Sequence, residues 1–177
     1  RQDLFRRQPI SLFGLHLRYR VNDHLSLKGF TGQTKFLFER WQPILKGFNA
    51  EGDFDLFKGK AHITPGLGIV NRTMDQKSMD NLVSNINNMP EGTRFVPNYN
   101  MRAATLYNTL NASNFSWYVE GALKSEEAIV LDNALHNSNG SVLYSTLGYA
   151  MNKFGLNASI KRTEHFVMRT SPNENLL

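Results

Sequence analysis

The stretch Ile44-Leu-Lys-Gly-Phe-Asn-Ala-Glu-Gly-Asp-Phe-Asp-Leu56 carries the pattern that decides the fold. Successive side chains of a β-strand point to opposite faces of its sheet. The even-numbered positions are mostly apolar, with Phe48 and Phe54 among them, and the odd-numbered positions include Asp53 and Asp55. A helix would need apolar residues three and four apart, and Asp and Gly are unfavourable in its interior. The stretch therefore predicts a β-strand with one mostly apolar face and one acidic face.

Six further segments repeat this period of two, which extends the prediction to most of the chain. An amphipathic strand is the structure that such an alternation favours. These segments lie at residues 13–21, 61–69, 95–103, 115–124, 143–149 and 154–161. Together with residues 44–56 they predict an all-β protein.

The eighth segment, from Leu25 to Glu39, breaks the alternation. Its apolar residues are Leu25 and Leu27, followed by Phe30, Phe36 and Phe38. A β-bulge of one residue near Lys28-Gly29 would return all of them to one face. Two shorter strands joined by a bend would explain the same pattern, and the sequence leaves both interpretations open.

Short and long connections alternate between the predicted strands. The short turns, which carry Asn, Asp or Gly, lie near residues 22–24, 58–59, 111–114 and 152–153, and the long loops at 39–43, 73–93 and 126–140. This alternation is typical of outer-membrane barrels. We therefore predict an antiparallel up-and-down transmembrane β-barrel of about eight strands, with residues 1–177 as a single domain.

The alternation also predicts which side chains meet lipid. We expect the apolar face to point outward, with aromatic side chains near the short turns forming a girdle at the membrane surface. The girdle residues are Tyr19, Tyr107, Phe115, Trp117, Tyr149 and Phe154. The side chains predicted to face the lumen are Arg18, Arg20, Glu51, Asp53, Asp55, Arg102, Glu120, Lys124 and Lys161.

Composition excludes several classes of protein. The chain has no cysteine, which excludes disulfides and thiolate metal sites. It has no run of about 18 apolar residues, which excludes a transmembrane helix. The formal net charge is +5, but the basic residues are dispersed among the strands, so we predict no nucleic-acid partner.

The sequence contains no catalytic motif, and we predict that the protein is not an enzyme. It has no G-x-S-x-G, P-loop or H-E-x-x-H pattern, and its five histidines are far apart in sequence. His16 and His62 would both face the lumen, where a composite metal site is a minor alternative. We predict no cofactor and no metal.

Two glycine-rich stretches resemble a known group of proteins. The run Gly29-Phe30-Thr31-Gly32-Gln33 and the closing stretch from Leu147 to Arg162 are similar to an uncharacterised family of outer-membrane β-barrel proteins from Bacteroidota. Members of that family are longer barrels without an assigned activity. The resemblance implies that these residues are part of a larger barrel, and the abrupt ends of the chain, at Arg1 and Leu177, favour the same expectation.

The expected function follows from this architecture. We expect a bacterial outer-membrane barrel that serves transport, like a porin, or forms a structural component of an envelope complex, with membrane lipid and other envelope proteins as its partners. One alternative is a soluble lipocalin-like barrel that binds a ligand, with the same alternation turned inside out. A hydrolase embedded in a barrel is the other alternative.

Overall fold

The computed structural model describes residues 11–36, 39–131, 134–151 and 153–167, and they form an all-β fold with one short α-helix. Nine strands and the helix α1 are present in these ranges. In chain order they are β1 (Ser11–Asn22), β2 (Leu25–Phe36), β3 (Glu39–Gly52), β4 (Phe54–Leu56), β5 (Ala61–Thr73), α1 (Gln76–Asn87), β6 (Asn100–Ala112), β7 (Phe115–Leu131), β8 (Ala134–Met151) and β9 (Phe154–Glu164).

All nine strands belong to one antiparallel sheet. Its order is β1-β2-β3-β5-β6-β7-β8-β9, and β4 pairs with the first residues of β5. The predicted strand at residues 44–56 is therefore divided, since β3 ends at Gly52 and β4 begins after Asp53. Each strand pairs with its neighbour in sequence, as in an up-and-down sheet. Within the described ranges, β1 and β9 are the edge strands and are not paired with each other.

The pairing register fixes two faces, because residues directly opposite each other in antiparallel strands point to the same side. One continuous row across the sheet is Tyr19, Leu27, Ala50, Leu67, Leu106, Gly121, Leu143 and Arg162; we call its side the apolar face. The adjacent row is Arg20, Ser26, Glu51, Gly66, Tyr107, Glu120, Tyr144 and Lys161; we call its side the polar face.

The sheet is strongly curved, and the polar face is its concave side. One cavity of about 510 Å³ is lined by residues from His16 on β1 to Val142 on β8. In a flat sheet, neighbouring strands lie about 4.8 Å apart, so these two strands would be roughly 29 Å apart. A single cavity of that volume reaches both strands only if the sheet curls around it.

The apolar face is exposed across the whole sheet. Leu15 on β1 is 69% exposed, Leu106 on β6 is 66% exposed and Ile160 on β9 is 66% exposed. Other large apolar side chains on this face, such as Phe48 and Leu123, are exposed as well. The buried apolar cluster of the described residues lies instead beside α1.

The helix α1 covers one end of the sheet. Asp75 caps its N-terminus by accepting a hydrogen bond from the backbone N–H of Ser78 at 3.1 Å. A buried apolar cluster lies beneath it. Met79, Leu82 and Ile86 come from α1, Met74 from just before it, and Ala128 and Leu135 from the long hairpin of β7 and β8. In the described part of the chain, no helix has the length and apolar content needed to cross a membrane.

The predicted β-bulge near Lys28-Gly29 is absent. The pairing of β1 with β2 runs from Leu12 opposite Thr34 to Arg20 opposite Ser26 without a shift. Of the predicted segment from Leu25 to Glu39, β2 covers the residues up to Phe36, residues 37–38 lie outside the described ranges, and Glu39 begins β3. Phe30 therefore lies on the polar face. The strand tolerates this because Gly47 lies opposite Phe30 on β3 and its missing side chain leaves space for the ring.

Two of the predicted long loops are mostly strand. Residues 39–43 belong to β3, and residues 126–140 belong mainly to the long hairpin of β7 and β8, whose residues 132–133 lie outside the described ranges. The third, residues 73–93, contains α1 and a 3₁₀ helix at Glu91–Thr93. Polar residues in these stretches obscured the strand alternation, and the pairing of β7 with β8 supplies the hydrogen bonds that keep the extension ordered.

Replacing Gly47 by alanine should destabilise the sheet. A Cβ atom at this position would lie 2.1 Å from Cε1 of Phe30, so the ring or the strand must move. Overpacking of this kind costs about 1–3 kcal/mol in the free energy of unfolding. Urea unfolding measures the loss, and Phe30→Leu combined with Gly47→Ala should recover most of it.

The control for this prediction is Gly121→Ala, because nothing lies within 4 Å of a Cβ added there. Equal destabilisation by Gly47→Ala and Gly121→Ala, with no recovery in the double variant, would show that Phe30 does not occupy the space over Gly47.

Candidate functional site on the polar face

The structure places the predicted lumen residues on the polar face, with one exception. Arg20, Glu51, Glu120 and Lys161 lie in the polar row itself, and Arg18, Lys124, Asp53 and Asp55 lie along the same side. Arg102 lies on the apolar face, opposite Asn71 and two residues from Ala104. The prediction assigned the two faces of β6 the wrong way round, because it took the odd-numbered residues Met101 and Ala103 to mark the apolar face. Met101 is instead fully buried on the polar side.

The same reversal affects one of the predicted girdle aromatics. Tyr19, Phe115, Trp117, Tyr149 and Phe154 lie on the apolar face. Tyr107 lies on the polar face, in register with Gly66 and Glu120. The β6–β7 hairpin turns at Ser113-Asn114, within the range 111–114 in which a short turn was predicted. The predicted assignment of β6 side chains to the two faces was wrong.

Tyr107 reaches across the polar face because of a glycine. A Cβ atom at Gly66 would lie 2.0 Å from Cζ of Tyr107, so the ring lies directly over this position of β5. The phenol then donates a hydrogen bond to Glu51 Oε2 at 2.9 Å and accepts one from Asn49 Nδ2 at 3.0 Å, both on β3. Lys28 Nζ lies 3.4 Å from the other oxygen of Glu51. This network joins β2, β3 and β6, and the Tyr107 ring crosses β5.

A second network continues along the concave surface. Glu120 accepts hydrogen bonds from Thr105 at 3.1 Å and from the phenol of Tyr118 at 2.8 Å. The ring centroid of Tyr118 lies 6.5 Å from that of Tyr107 and 5.9 Å from that of Tyr144. Sequence analysis predicted Glu120 as a lumen residue, placed Tyr107 in the girdle, and did not single out Tyr118 or Tyr144. Tyr118 lies two residues before Glu120 in the sequence, and this spacing could have indicated that it shares the polar face. Tyr107 and Tyr144 lie opposite Glu120 on the neighbouring strands.

A cluster of three buried charges lies where β5 and β7 meet the residues that follow β9. Arg72 Nη1 on β5 bonds Glu127 Oε1 on β7, and Lys124 Nζ lies 3.1 Å from Glu127 Oε2. The side chains of Arg72 and Lys124 are 1% exposed, and that of Glu127 is 3% exposed. Charges so buried are tolerated only when they are paired and hydrogen-bonded. Sequence analysis predicted Lys124 and missed Arg72 and Glu127.

The chain turns back over this cluster after β9. His165 has a φ of 46°, in the left-handed region, and the turn directs residues His165–Val167, which we call the return segment, onto the polar face. Lys124 Nζ donates a hydrogen bond to the Val167 carbonyl at 2.7 Å. Phe166 lines the same cavity as His16. The return segment therefore occupies part of the concave side.

Gly140 provides the space for the return segment. A Cβ atom at this position would lie 2.6 Å from the His165 carbonyl oxygen and 2.9 Å from the Phe166 Cα. Backbone atoms cannot rotate away as a flexible side chain can. Glycine at position 140 thus permits the close approach that Lys124 then fixes.

His62 links two carboxylates near the short turn of β4 and β5. Its Nε2 lies 3.1 Å from Asp53 Oδ1, and its Nδ1 lies 3.1 Å from Asp55 Oδ1. His16 lies on the same face but on the far strand β1. Throughout the described ranges, no three His, Cys, Asp or Glu side chains are grouped so that they could hold a metal ion. The arrangement of His62 is that of a side-chain brace between β4 and β5.

The polar face as a whole forms a concave, hydrogen-bonded surface. Its acids Glu51, Glu120 and Glu127 each bond side-chain donors through both carboxylate oxygens, and the donors lie on the same strand or on other strands of the sheet. Groups held in this way stabilise the curvature of the sheet and present a wettable interior.

Glu127→Gln should strongly destabilise the protein, because it leaves Arg72 and Lys124 buried beside a neutral amide. Removing one partner of a buried charge pair typically costs about 3–5 kcal/mol. Lys28→Met is the matched comparison, since the pair of Lys28 with Glu51 is roughly one-third exposed. It should cost less than about 1 kcal/mol. Equal losses in urea unfolding would contradict the assignment of a buried cluster.

Gly140→Ala should release the return segment. The added methyl group forces apart the β8 backbone and the His165 carbonyl, and the Lys124–Val167 hydrogen bond is then lost. Amide hydrogen exchange of residues 165–167 should accelerate about tenfold or more. Gly155→Ala on β9 is the control, because nothing lies within 4 Å of its added Cβ. Unchanged exchange in Gly140→Ala would contradict the docking.

Comparison with known proteins gives a family and no function. Curated proteins yield no match to the chain, and solved structures yield none either. A family model does match, over residues 9–176, and its description is a family of unknown function (DUF6029). Because the match covers nearly the whole sequence, the chain belongs to this family of unknown function.

Proposed function

We propose that the protein is a β-barrel component of the bacterial outer membrane, with its apolar face against lipid and its polar face lining the interior. The observation that carries the proposal is the exposed apolar row, which continues from Tyr19 on β1 to Leu143 on β8. Water-exposed apolar surface of this extent is unfavourable, at about 25 cal/mol per Å². Lipid would remove that cost for every strand at once.

The contents of the concave side support the same orientation. A lipocalin-like protein would enclose its apolar residues and expose its charged ones. Here the concave side holds Lys28, Glu51 and the buried cluster around Glu127, whereas Leu106 and Leu123 are exposed on the opposite side. The arrangement favours the membrane barrel over the soluble alternative.

The two edge strands support a barrel larger than the described sheet. Each edge strand, β1 and β9, has one side without a paired strand among the described residues. Unpaired backbone N–H and C=O groups cannot face hydrocarbon. We propose that further strands pair with these edges and complete the barrel, in line with the resemblance to longer barrels from Bacteroidota.

Within this location we favour a structural role in an envelope complex, with transport as the second candidate. The structural role is supported by the return segment and the tyrosine–carboxylate networks, which fill much of the concave side. Transport is supported by the charged side chains on that side, such as Lys28, Glu51 and Glu120. Conductance in planar bilayers separates them: steady ion current would favour transport, and its absence a structural role.

Lipid contact can be measured with tryptophan at one position. In a Trp41→Phe background, Trp117 is the remaining tryptophan, and it lies on the apolar face. Phospholipids brominated on their acyl chains quench tryptophan fluorescence only on close contact. We expect strong quenching of Trp117 in vesicles of such lipids.

The matched variant moves the indole to the other face. Trp117→Phe with Tyr118→Trp, in the same background, places it on the polar face beside Glu120. We expect little quenching there. Quenching of the Tyr118→Trp variant but not of Trp117 would reverse the orientation, and no quenching of either in correctly folded protein would reject the membrane location.

A further inference from the structure

A cavity lies between the residues that connect β5 to β6 and the part of the β7–β8 hairpin around Val130 and Ala134. Its volume is about 700 Å³, which falls within the range of about 300–1,000 Å³ typical of small-molecule sites. Met89 and Phe95 form one wall, and Val130 and Leu135 form the facing wall. Met89 and Phe95 also pack against the buried cluster under α1, which gives the cavity a fixed apolar floor.

The walls of this cavity exclude charged ligands. Among the described residues that line it there is no Asp, Glu, Lys or Arg, although charged residues make up 20% of the chain. Its polar residues include the amides Asn85, Asn88 and Asn137 and the imidazole of His136, which has no charge in its neutral form. Against neutral walls, an ionised ligand would lose its hydration without gaining a partner charge, which is strongly unfavourable. An uncharged ligand loses much less.

Asn137 adds a requirement for a hydrogen-bond donor. Its Nδ2 donates to Glu126 Oε2 at 2.9 Å, which fixes the orientation of the amide. Its Oδ1 is buried and has no hydrogen-bond partner among the described residues. A buried acceptor without a partner costs about 1–3 kcal/mol. Because this oxygen is buried, a ligand O–H or N–H at this wall bonds it once the Asn137 side chain shifts to bring the oxygen to the cavity surface.

We propose that this cavity binds an uncharged, largely apolar small molecule that carries one O–H or N–H donor. The apolar walls supply most of the affinity, and Asn137 selects the donor. The proposal goes beyond the membrane location proposed above and does not rest on it, because the cavity is formed by the residues that connect β5 to β6, α1 included, and by the hairpin rather than by the lipid-facing row.

Three probes of one shape test the ligand class: 4-phenylphenol, biphenyl and biphenyl-4-carboxylate. The full chain carries ¹³C-methyl methionine, so that the Met89 methyl reports on the cavity and the exposed Met151, at the end of β8, reports on non-specific contact. We expect 4-phenylphenol to shift the Met89 signal and not that of Met151. It should bind about tenfold tighter than biphenyl, and the carboxylate should not bind.

Two variants locate the site. Asn137→Leu should reduce the affinity for 4-phenylphenol to that for biphenyl and leave biphenyl binding unchanged. Ala134→Trp, at an exposed position of the cavity wall, should abolish binding of both, whereas Val96→Trp, also exposed but outside the wall, should not. If Asn137→Leu kept the tighter binding of 4-phenylphenol, or weakened the binding of biphenyl, the role of the Asn137 amide would be overturned.

Other outcomes overturn the site itself. Equal shifts of Met89 and Met151 would mean partition into lipid or detergent rather than binding. Tight binding of the carboxylate would overturn the assignment to uncharged ligands. The absence of any shift at Met89, in a protein whose remaining methionine signals show that it is folded, would reject the cavity as a binding site.

Discussion

Backbone hydrogen bonding between neighbouring strands is the constraint on which the rest of this structure depends. Because opposite residues in an antiparallel pair share a side, the register at one pair determines the face of every side chain along both strands. The register continues from β1 to β9, so each face is built from all parts of the chain. A slip of one residue in any pair would place charges such as Glu51 among leucines.

The polar face uses glycine to hold side chains larger than the spacing of the strands would otherwise allow. Gly47 makes room for Phe30, and Gly66 makes room for Tyr107. At Gly140 the missing side chain leaves space for the backbone of His165 and Phe166 rather than for an aromatic ring. In each case a missing Cβ on one strand lets a group from another cross it. Contacts between strands that are not neighbours, such as Tyr107 with Glu51, follow from this and stabilise the curvature.

The buried charges belong to the same scheme. Arg72 and Glu127 lie on strands separated by β6, and their pairing holds β5 and β7 together across it. One extra residue in β7, between Lys124 and Glu127, allows the side chains of Lys124 and Glu127 to lie on the polar face together. In a regular strand, two residues that are three positions apart would point to opposite faces. The charged cluster therefore depends on a local break in the alternation that governs the rest of β7.

Period-two alternation predicted the all-β class, the order of the strands and most face assignments from sequence alone. It failed where apolar residues occur on both faces, as in β6, where Met101 and Leu106 point to opposite sides. It also failed in β2, because the space that accepts Phe30 is created by Gly47 on another strand. The return segment and the Arg72–Glu127 pair depend on contacts between distant residues, which periodicity does not contain.

The central claim is that side chains of the strands alternate between lipid and the concave interior, and spin labelling along β7 tests it most directly. The chain has no native cysteine, so single cysteines can be introduced and labelled one by one from residue 115 to residue 123. In lipid bilayers, collision with oxygen should peak at 115, 117, 119, 121 and 123, and collision with a water-soluble nickel complex should not. Equal accessibility at odd and even positions, or oxygen maxima at the even ones, would contradict the account.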